Sequence, residues 1–257
     1  MVSADLDRLA IFYRAIGFDI GEVSPISAAE MLVLEIGGGG SRRSIALGKS
    51  HVDLDCFDQS GRSYPDDATA SDLVFQHLAL VTDDAHAAWE RAQKAGATPI
   101  SRGEPVTLPQ SSGGVTAIKF RDPEGHPLEL IEFPSGSNLS WNGRGIMGID
   151  HTAISVFDVP TSQHFYEEHG LTHGKRTINQ GPTQDALDGL DGVEVDVFPM
   201  NPAEKPPHVE LLGYRLPIGR QHEPFAANDI AATRIVWRSN RNALVRDPDG
   251  HLLQLIR

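Results

Sequence analysis

The sequence is poorest in cysteine. Cys56 is the only one in 257 residues, so no intrachain disulfide can form, and a single thiol on an apolar stretch reads as a packing residue in a reducing compartment. Long hydrophobic runs are missing too, since no stretch approaches the ~18 apolar residues that a membrane span needs. The opening Met1-Val2-Ser3-Ala4-Asp5 has no basic region followed by an apolar core, so it does not read as a secretory signal, and a soluble cytoplasmic protein without membrane partners is expected. Positive charge is scarce: 22 Lys and Arg against 35 Asp and Glu leave a formal net charge of −13. That balance, without any Lys/Arg cluster interleaved with aromatics, excludes a nucleic-acid partner.

What is present is a repeat. Arg121-Asp122-Pro123-Glu124-Gly125-His126 runs into Pro127-Leu128-Glu129-Leu130-Ile131, and Arg246-Asp247-Pro248-Asp249-Gly250-His251 runs into Leu252-Leu253-Gln254-Leu255-Ile256. Each copy opens with Asp-Pro-acid-Gly, a tight-turn signature in which Pro presets φ and Gly tolerates the later position. Each then becomes a short apolar strand carrying one oxygen-bearing side chain, Glu129 or Gln254. Taken singly, Glu129 reads as a strand carboxylate facing water. The recurrence 125 positions later, at the same offset, argues for a duplicated unit that holds that oxygen in a particular place.

In chain order the pattern falls into four units. Unit one begins with an amphipathic helix over Asp5–Arg14 stopped by Gly17, followed by strands expected at 18–23, 31–36, 44–47 and 52–57. Residues 58–73 are polar and rich in Asp, Ser, Gly and Pro and read as a linker or an active-site-side loop. Unit two gives a strand at 75–81, a helix capped by Asp83-Asp84 and ended by Gly96, and strands at 98–101, 116–120 and through Glu129. The segment 134–145, rich in Ser, Gly and Asn, divides the chain into domains spanning 1–133 and 147–257. Unit three restarts with a strand at 148–156, a helix containing Phe165-Tyr166, and strands at 193–198 and 208–212, the last carrying Glu210. In unit four a strand at 230–237 is followed too closely by the Asp247-Pro248 turn to leave room for a helix. His151-Thr152-Ala153-Ile154 matches His77-Leu78-Ala79-Leu80, and Phe165-Tyr166 before Gly170 matches Phe12-Tyr13 before Gly17. Tyr13, Tyr166 and Trp89 read as core, and His126 and His251 as surface residues of the turn.

Four β-α-β-β-β units, a His on the first strand, an acid on the last strand after an Asp-Pro-x-Gly turn, and Phe-Tyr in the helix together resemble the vicinal oxygen chelate superfamily. That superfamily includes glyoxalase I, bleomycin- and fosfomycin-resistance proteins, methylmalonyl-CoA epimerase and extradiol dioxygenases. The resemblance covers essentially the whole chain. It implies an α+β fold of tandem βαβββ modules, four in number, the first lacking its opening strand and the fourth abbreviated, forming two cup-shaped sheets. Units one and two are expected to build one cup and units three and four the other.

The resemblance further implies a divalent metal, Zn, Ni, Mn or Fe, held by residues on the first and last strands. His77, Glu129 and Asp53 would serve the first cup; His151, Glu210 and Gln254 would serve the second. On that grouping neither cup has the two His and one carboxylate of an extradiol dioxygenase. The expected chemistry is that of an isomerase, epimerase or lyase acting on a small oxygen-rich substrate, with Glu129 or Glu210 as catalytic base. A metal-free small-molecule binding or resistance protein is the competing class, and an extradiol-type dioxygenase is a further alternative that fits less well for want of a second His. Counting back from Asp5, the first strand of unit one falls before Met1. Either the reading frame begins upstream, or the chain has discarded a strand and left an open sheet edge, to be masked by residues 58–73 or by a second copy in a homodimer.

Overall fold

The computed structural model describes residues 1–204 and 206–257. Unit one comprises α1 (Leu6–Ile16), β1 (Asp19–Pro25), α2 (Ala28–Val33), β2 (Gly40–Leu47) and β3 (Ser50–Phe57). Unit two runs β4 (Gln76–Thr82), α3 (Ala85–Lys94), β5 (Thr98–Pro99), β6 (Val106–Thr107), β7 (Thr116–Arg121) and β8 (Pro127–Glu132). Unit three runs β9 (Ile146–Ser155), α4 (Val159–Glu168), β10 (Thr172–His173), β11 (Thr177–Gln180), α5 (Pro182–Asp188), β12 (Glu194–Asn201) and β13 (His208–Leu216). Unit four is β14 (Arg234–Arg238), β15 (Ala243–Arg246) and β16 (Leu252–Ile256), without a helix.

The architecture is the α+β fold of repeated βαβββ units that the sequence implies. Aspartates start the principal helices: Asp5, Asp84 and Asp158 each accept a backbone N–H of the first turn of α1, α3 and α4, satisfying donors that the helix itself leaves unpaired. One element is a correction. Residues 31–36 alternate like a strand, yet the chain forms α2, because Ser27 caps the Glu30 N–H and Ala-Ala-Glu-Met-Leu are strong helix formers. Met31 and Leu34 are buried while Leu32 is left exposed. Helix α5 and the short strands β6, β10 and β11 were not expected.

The larger correction is how the units pair. Strand β4 lies antiparallel to β9, joining units two and three in one ten-stranded sheet ordered β10-β12-β13-β9-β4-β8-β7-β5, with β6 and β11 off that path. Units one and four form separate three-stranded sheets. They meet each other through Val2, Ile26, Met31, Leu34 and Phe57 packed on Ala227, Ala232 and Leu252. Units adjacent in sequence touch instead through helices. Trp89 of α3 and Leu9, Phe12 and Tyr13 of α1 cover one face of the large sheet, at Leu80, Ile118, Phe120, Leu128 and Leu130. The opposite face forms the cup. Ahead of α1, Val2 makes a single parallel bridge to Asp55 of β3.

The repeated turn has a repeated partner. Tyr13 Oη donates to Asp122 Oδ2 at 3.1 Å and Tyr166 Oη donates to Asp247 Oδ2 at 3.1 Å, so each helix tyrosine ties its unit to the turn of the next. His126 and His251 are buried there, not exposed as expected. His126 bonds Asp122 Oδ2 at 2.8 Å and the Val2 carbonyl at 2.8 Å, and His251 bonds the Ser155 carbonyl at 3.0 Å. The His126 ring thus binds two partners at once, while His251 uses its ring on Ser155 and its backbone N–H on Asp247 Oδ1 at 2.9 Å. The linker over 58–73 lies along the matching connection of the second half, with Arg62 paired to Asp229 and Asp72 to Arg220.

Two outcomes follow for stability. Tyr13→Phe and Tyr166→Phe should each lower the unfolding free energy by about 1–2 kcal/mol, read by urea denaturation, because each removes a buried hydrogen bond to a carboxylate. Burial pushes the Asp72 carboxyl up, but Arg220 and the Thr69 amide outweigh it and hold the group down to about 2. Its folded value lies below its unfolded one, so its contribution is present above about pH 4 and lost as pH falls through 2. Asp72→Asn should therefore be less stable than wild type at neutral pH, with the gap closing toward pH 2.

Candidate metal centre

The site follows from register. Strand β4 sets His77 opposite Ala153 and Ala79 opposite His151. Ala79 in turn faces Glu129 on β8, and Ala153 faces Glu210 on β13. Side chains two apart on a strand share a face, so two histidines and two glutamates from units two and three converge inside one cup.

The four donors are close and largely buried. His77 Nε2 lies 2.9 Å from Glu129 Oε2, and His151 Nε2 lies 3.7 Å from Glu129 Oε2 and 3.5 Å from Glu210 Oε2. His77, Glu129 and His151 offer ligand atoms all within 4.8 Å of one another. Burial raises the Glu129 carboxyl, but the His151 and His77 rings beside it reverse this and hold it far below the carboxylate range. Burial also depresses His77, and here it wins. His151 goes the other way: Glu210, Asp150 and Glu129 overcome burial and raise it well above the usual imidazole value. Glu210 is lowered, His151 outweighing its burial.

The donor set fits a divalent cation. An ion about 2.0–2.2 Å from imidazole nitrogen and carboxylate oxygen separates neighbouring ligand atoms by about 2.9–3.5 Å, close to the spacings found. Two imidazoles with two carboxylates suit Zn, Fe, Ni or Mn rather than Ca or Mg.

Unit three adds two groups that the sequence reading missed. His208, two residues before Glu210, places Nε2 at 3.2 Å from Glu210 Oε1, with its ring centroid 5.3 Å from that of His151. Asp150 Oδ2 lies 3.0 Å from His151 Nδ1. The signal for His208 was the strand's own period, which puts it on the same face as Glu210.

Opposite, Lys119 pairs with Glu129 across β7 and β8 and sends Nζ to Asp188 of α5 at 2.6 Å. Asp188 also accepts from Tyr214 Oη at 3.0 Å and Gln184 Nε2 at 2.8 Å. Burial lowers Lys119, but Asp188 and Glu129 reverse this and hold it cationic. Helix α5 thus spans units two and three. Gly189 ends it at φ 68 where any Cβ would stand 2.3 Å from the Ile100 carbonyl oxygen.

Asp53 and Gln254 lie elsewhere, lining a cavity of about 640 Å³ between units one and four. The expected grouping into His77–Glu129–Asp53 and His151–Glu210–Gln254 is thereby corrected, because β4 pairs with β9 and not with a strand of unit one. With the sets regrouped, two histidines and a carboxylate do meet in one cup. Asp53 Oδ2 lies 3.6 Å from Arg42 Nε, and Gln254 Nε2 donates to Glu30 Oε1 at 2.7 Å. Val236 faces Gln254, so Arg234, two residues earlier, holds the register of His77 and His151. Arg234 and Arg42 both bind the buried Asp55. A permanently charged guanidinium where an imidazole would be repels a cation, and this second set does not fit a metal.

Among the described residues no helix is long and apolar enough to cross a membrane. The family model described as Glyoxalase/Bleomycin resistance protein/Dioxygenase superfamily matches residues 1–130. Among solved structures, glyoxalase I from Zea mays is similar at 16% identity, over 99% of this chain and 89% of that one, with a TM-score of 0.62. Its V278E mutant gives 16% identity, the same coverages and a TM-score of 0.63. A protein described as a "putative dioxygenase" from Bacillus subtilis subsp. subtilis str. 168 is similar at 14% identity, over 99% of this chain and 82% of that one, with a TM-score of 0.51. No curated protein sequence matches.

Lys119→Met should lower stability by about 3–5 kcal/mol, read by thermal or urea unfolding, because it leaves Asp188 buried without its counter-charge.

Proposed function

The chain belongs to the Glyoxalase/Bleomycin resistance protein/Dioxygenase superfamily, and we propose that it is a divalent-metal-dependent enzyme acting on a small, oxygen-rich substrate, with one site in the cup of units two and three. The carrying observation is the convergence of His77, Glu129, His151 and Glu210, two from each unit, at 2.9–3.7 Å. A cation held there supplies Lewis acidity that polarises a carbonyl and stabilises an adjacent oxyanion.

The residues divide the remaining work. Glu129 is buried and close to both histidines, which suits a fixed ligand. Glu210 is the more accessible carboxylate, with 19% of its side chain exposed beside His208, which suits the base that removes a proton from the substrate carbon. Lys119, held by Asp188 next to Glu129, keeps a positive charge at the floor of the cup. This division fits isomerase, epimerase or lyase chemistry. A second reading, extradiol-type ring cleavage, is favoured by one observation: two histidines and a glutamate share the cup. A metal-free binding protein would make no use of two buried imidazole–carboxylate contacts, and a small-molecule substrate is the partner the cup suits.

Protein purified without chelator should carry one divalent ion per chain by elemental analysis, and His77→Ala and His151→Ala should each abolish it. Retention of metal in both variants, or metal-free wild type that takes up none of Zn, Ni, Mn or Fe, would remove this reading.

A further inference from the structure

Asp150 precedes His151 on a strand, so ordinary alternation would turn it to the opposite face. It does not turn away. Strand β9 pairs Ala79 with His151 and then Leu80 with Ile149, which leaves Asp150 as one extra residue without a partner on β4. That is a β-bulge, a device that re-aims a side chain and recurs beside active sites.

The bulge brings Asp150 Oδ2 to 3.0 Å from His151 Nδ1, while Trp141 Nε1 donates to Asp150 Oδ1 at 3.2 Å. A carboxylate accepting from Nδ1 fixes the orientation of the ring, with Nε2 facing Glu129 and Glu210. The other half of the cup has no counterpart. Gln76, the residue before His77, gives its Nε2 to Thr152 Oγ1 at 3.1 Å. His77 Nδ1 is buried and finds no partner among the described residues. Two histidines related by the duplication therefore differ in what stands behind them.

We propose that Asp150, delivered by the bulge of β9 and braced by Trp141, is the positioning residue that makes His151 the anchoring ligand of the cup, with His77 the more weakly oriented one. The inference rests on the metal reading above. It is also specific to this chain's asymmetry, since the symmetric duplication by itself gives neither histidine a carboxylate.

Titration of the apo protein with Co²⁺ against a chromogenic chelator tests it, with circular dichroism and thermal unfolding of each apo variant as controls. Asp150→Ala should bind Co²⁺ about 10–100-fold more weakly than wild type, and Asp150→Asn, which retains an acceptor of similar shape, should fall between. Asp150→Glu should recover part of the loss. The visible Co²⁺ absorption should change in Asp150→Asn even under saturating metal, because the orientation of the His151 ring is altered. Unchanged affinity and an unchanged spectrum in Asp150→Ala and Asp150→Asn, with wild type binding normally, would overturn this inference and leave the metal reading standing. Wild type that binds no Co²⁺ would overturn both.

Discussion

Everything in the candidate centre depends on the antiparallel pairing of β4 with β9. Backbone bonding fixes which residues stand opposite, and the period of two decides which side chains share a face. With His77 opposite Ala153 and His151 opposite Ala79, the two glutamates on the outer neighbours β8 and β13 are brought to the same point. A shift of one residue between β4 and β9 would put the two histidines on opposite faces of the sheet. The apolar residues that alternate with them, Leu80, Leu128 and Leu130, are packed under α1 and α3. The core therefore enforces the register that the polar cluster needs.

The same repeat gives two cups with opposite electrostatics. Between units two and three, imidazoles and carboxylates face each other. Between units one and four, Arg234 replaces the histidine and joins Arg42 around the buried Asp55. Breaking such a buried ion cluster by removing one member is strongly destabilising, so the second cup carries a fixed internal network where the first carries open donor atoms. Duplication supplied the positions, and the residue at each position decides between coordination and structure.

Much of this was legible in the sequence because it is local. The Asp-Pro-acid-Gly turn, the strand that follows it and the helix caps at Asp5, Asp84 and Asp158 depend on neighbouring residues. The positions of His77, Glu129, His151 and Glu210 within their strands could be read from the repeat. The pairing of units could not, because the opening strands carry similar patterns and sequence adjacency favours the wrong partner. Arg234 stands in the histidine register with no imidazole to mark it, and only the pairing of β14 with β16 reveals the equivalence. Asp150 was hidden since a bulge leaves no periodic trace, and 31–36 misled because its alternation is compatible with a short helix once Ser27 caps it.

The central claim is that the four donors of units two and three form one metal centre. Anomalous scattering from a crystal grown with Co²⁺, collected at the cobalt edge, tests it most directly. The account predicts a single strong peak about 2.0–2.2 Å from the Nε2 atoms of His77 and His151 and bounded by Glu129 and Glu210. A peak instead beside Asp53 and Gln254, or none in either cup of a Co²⁺-saturated protein, would contradict it.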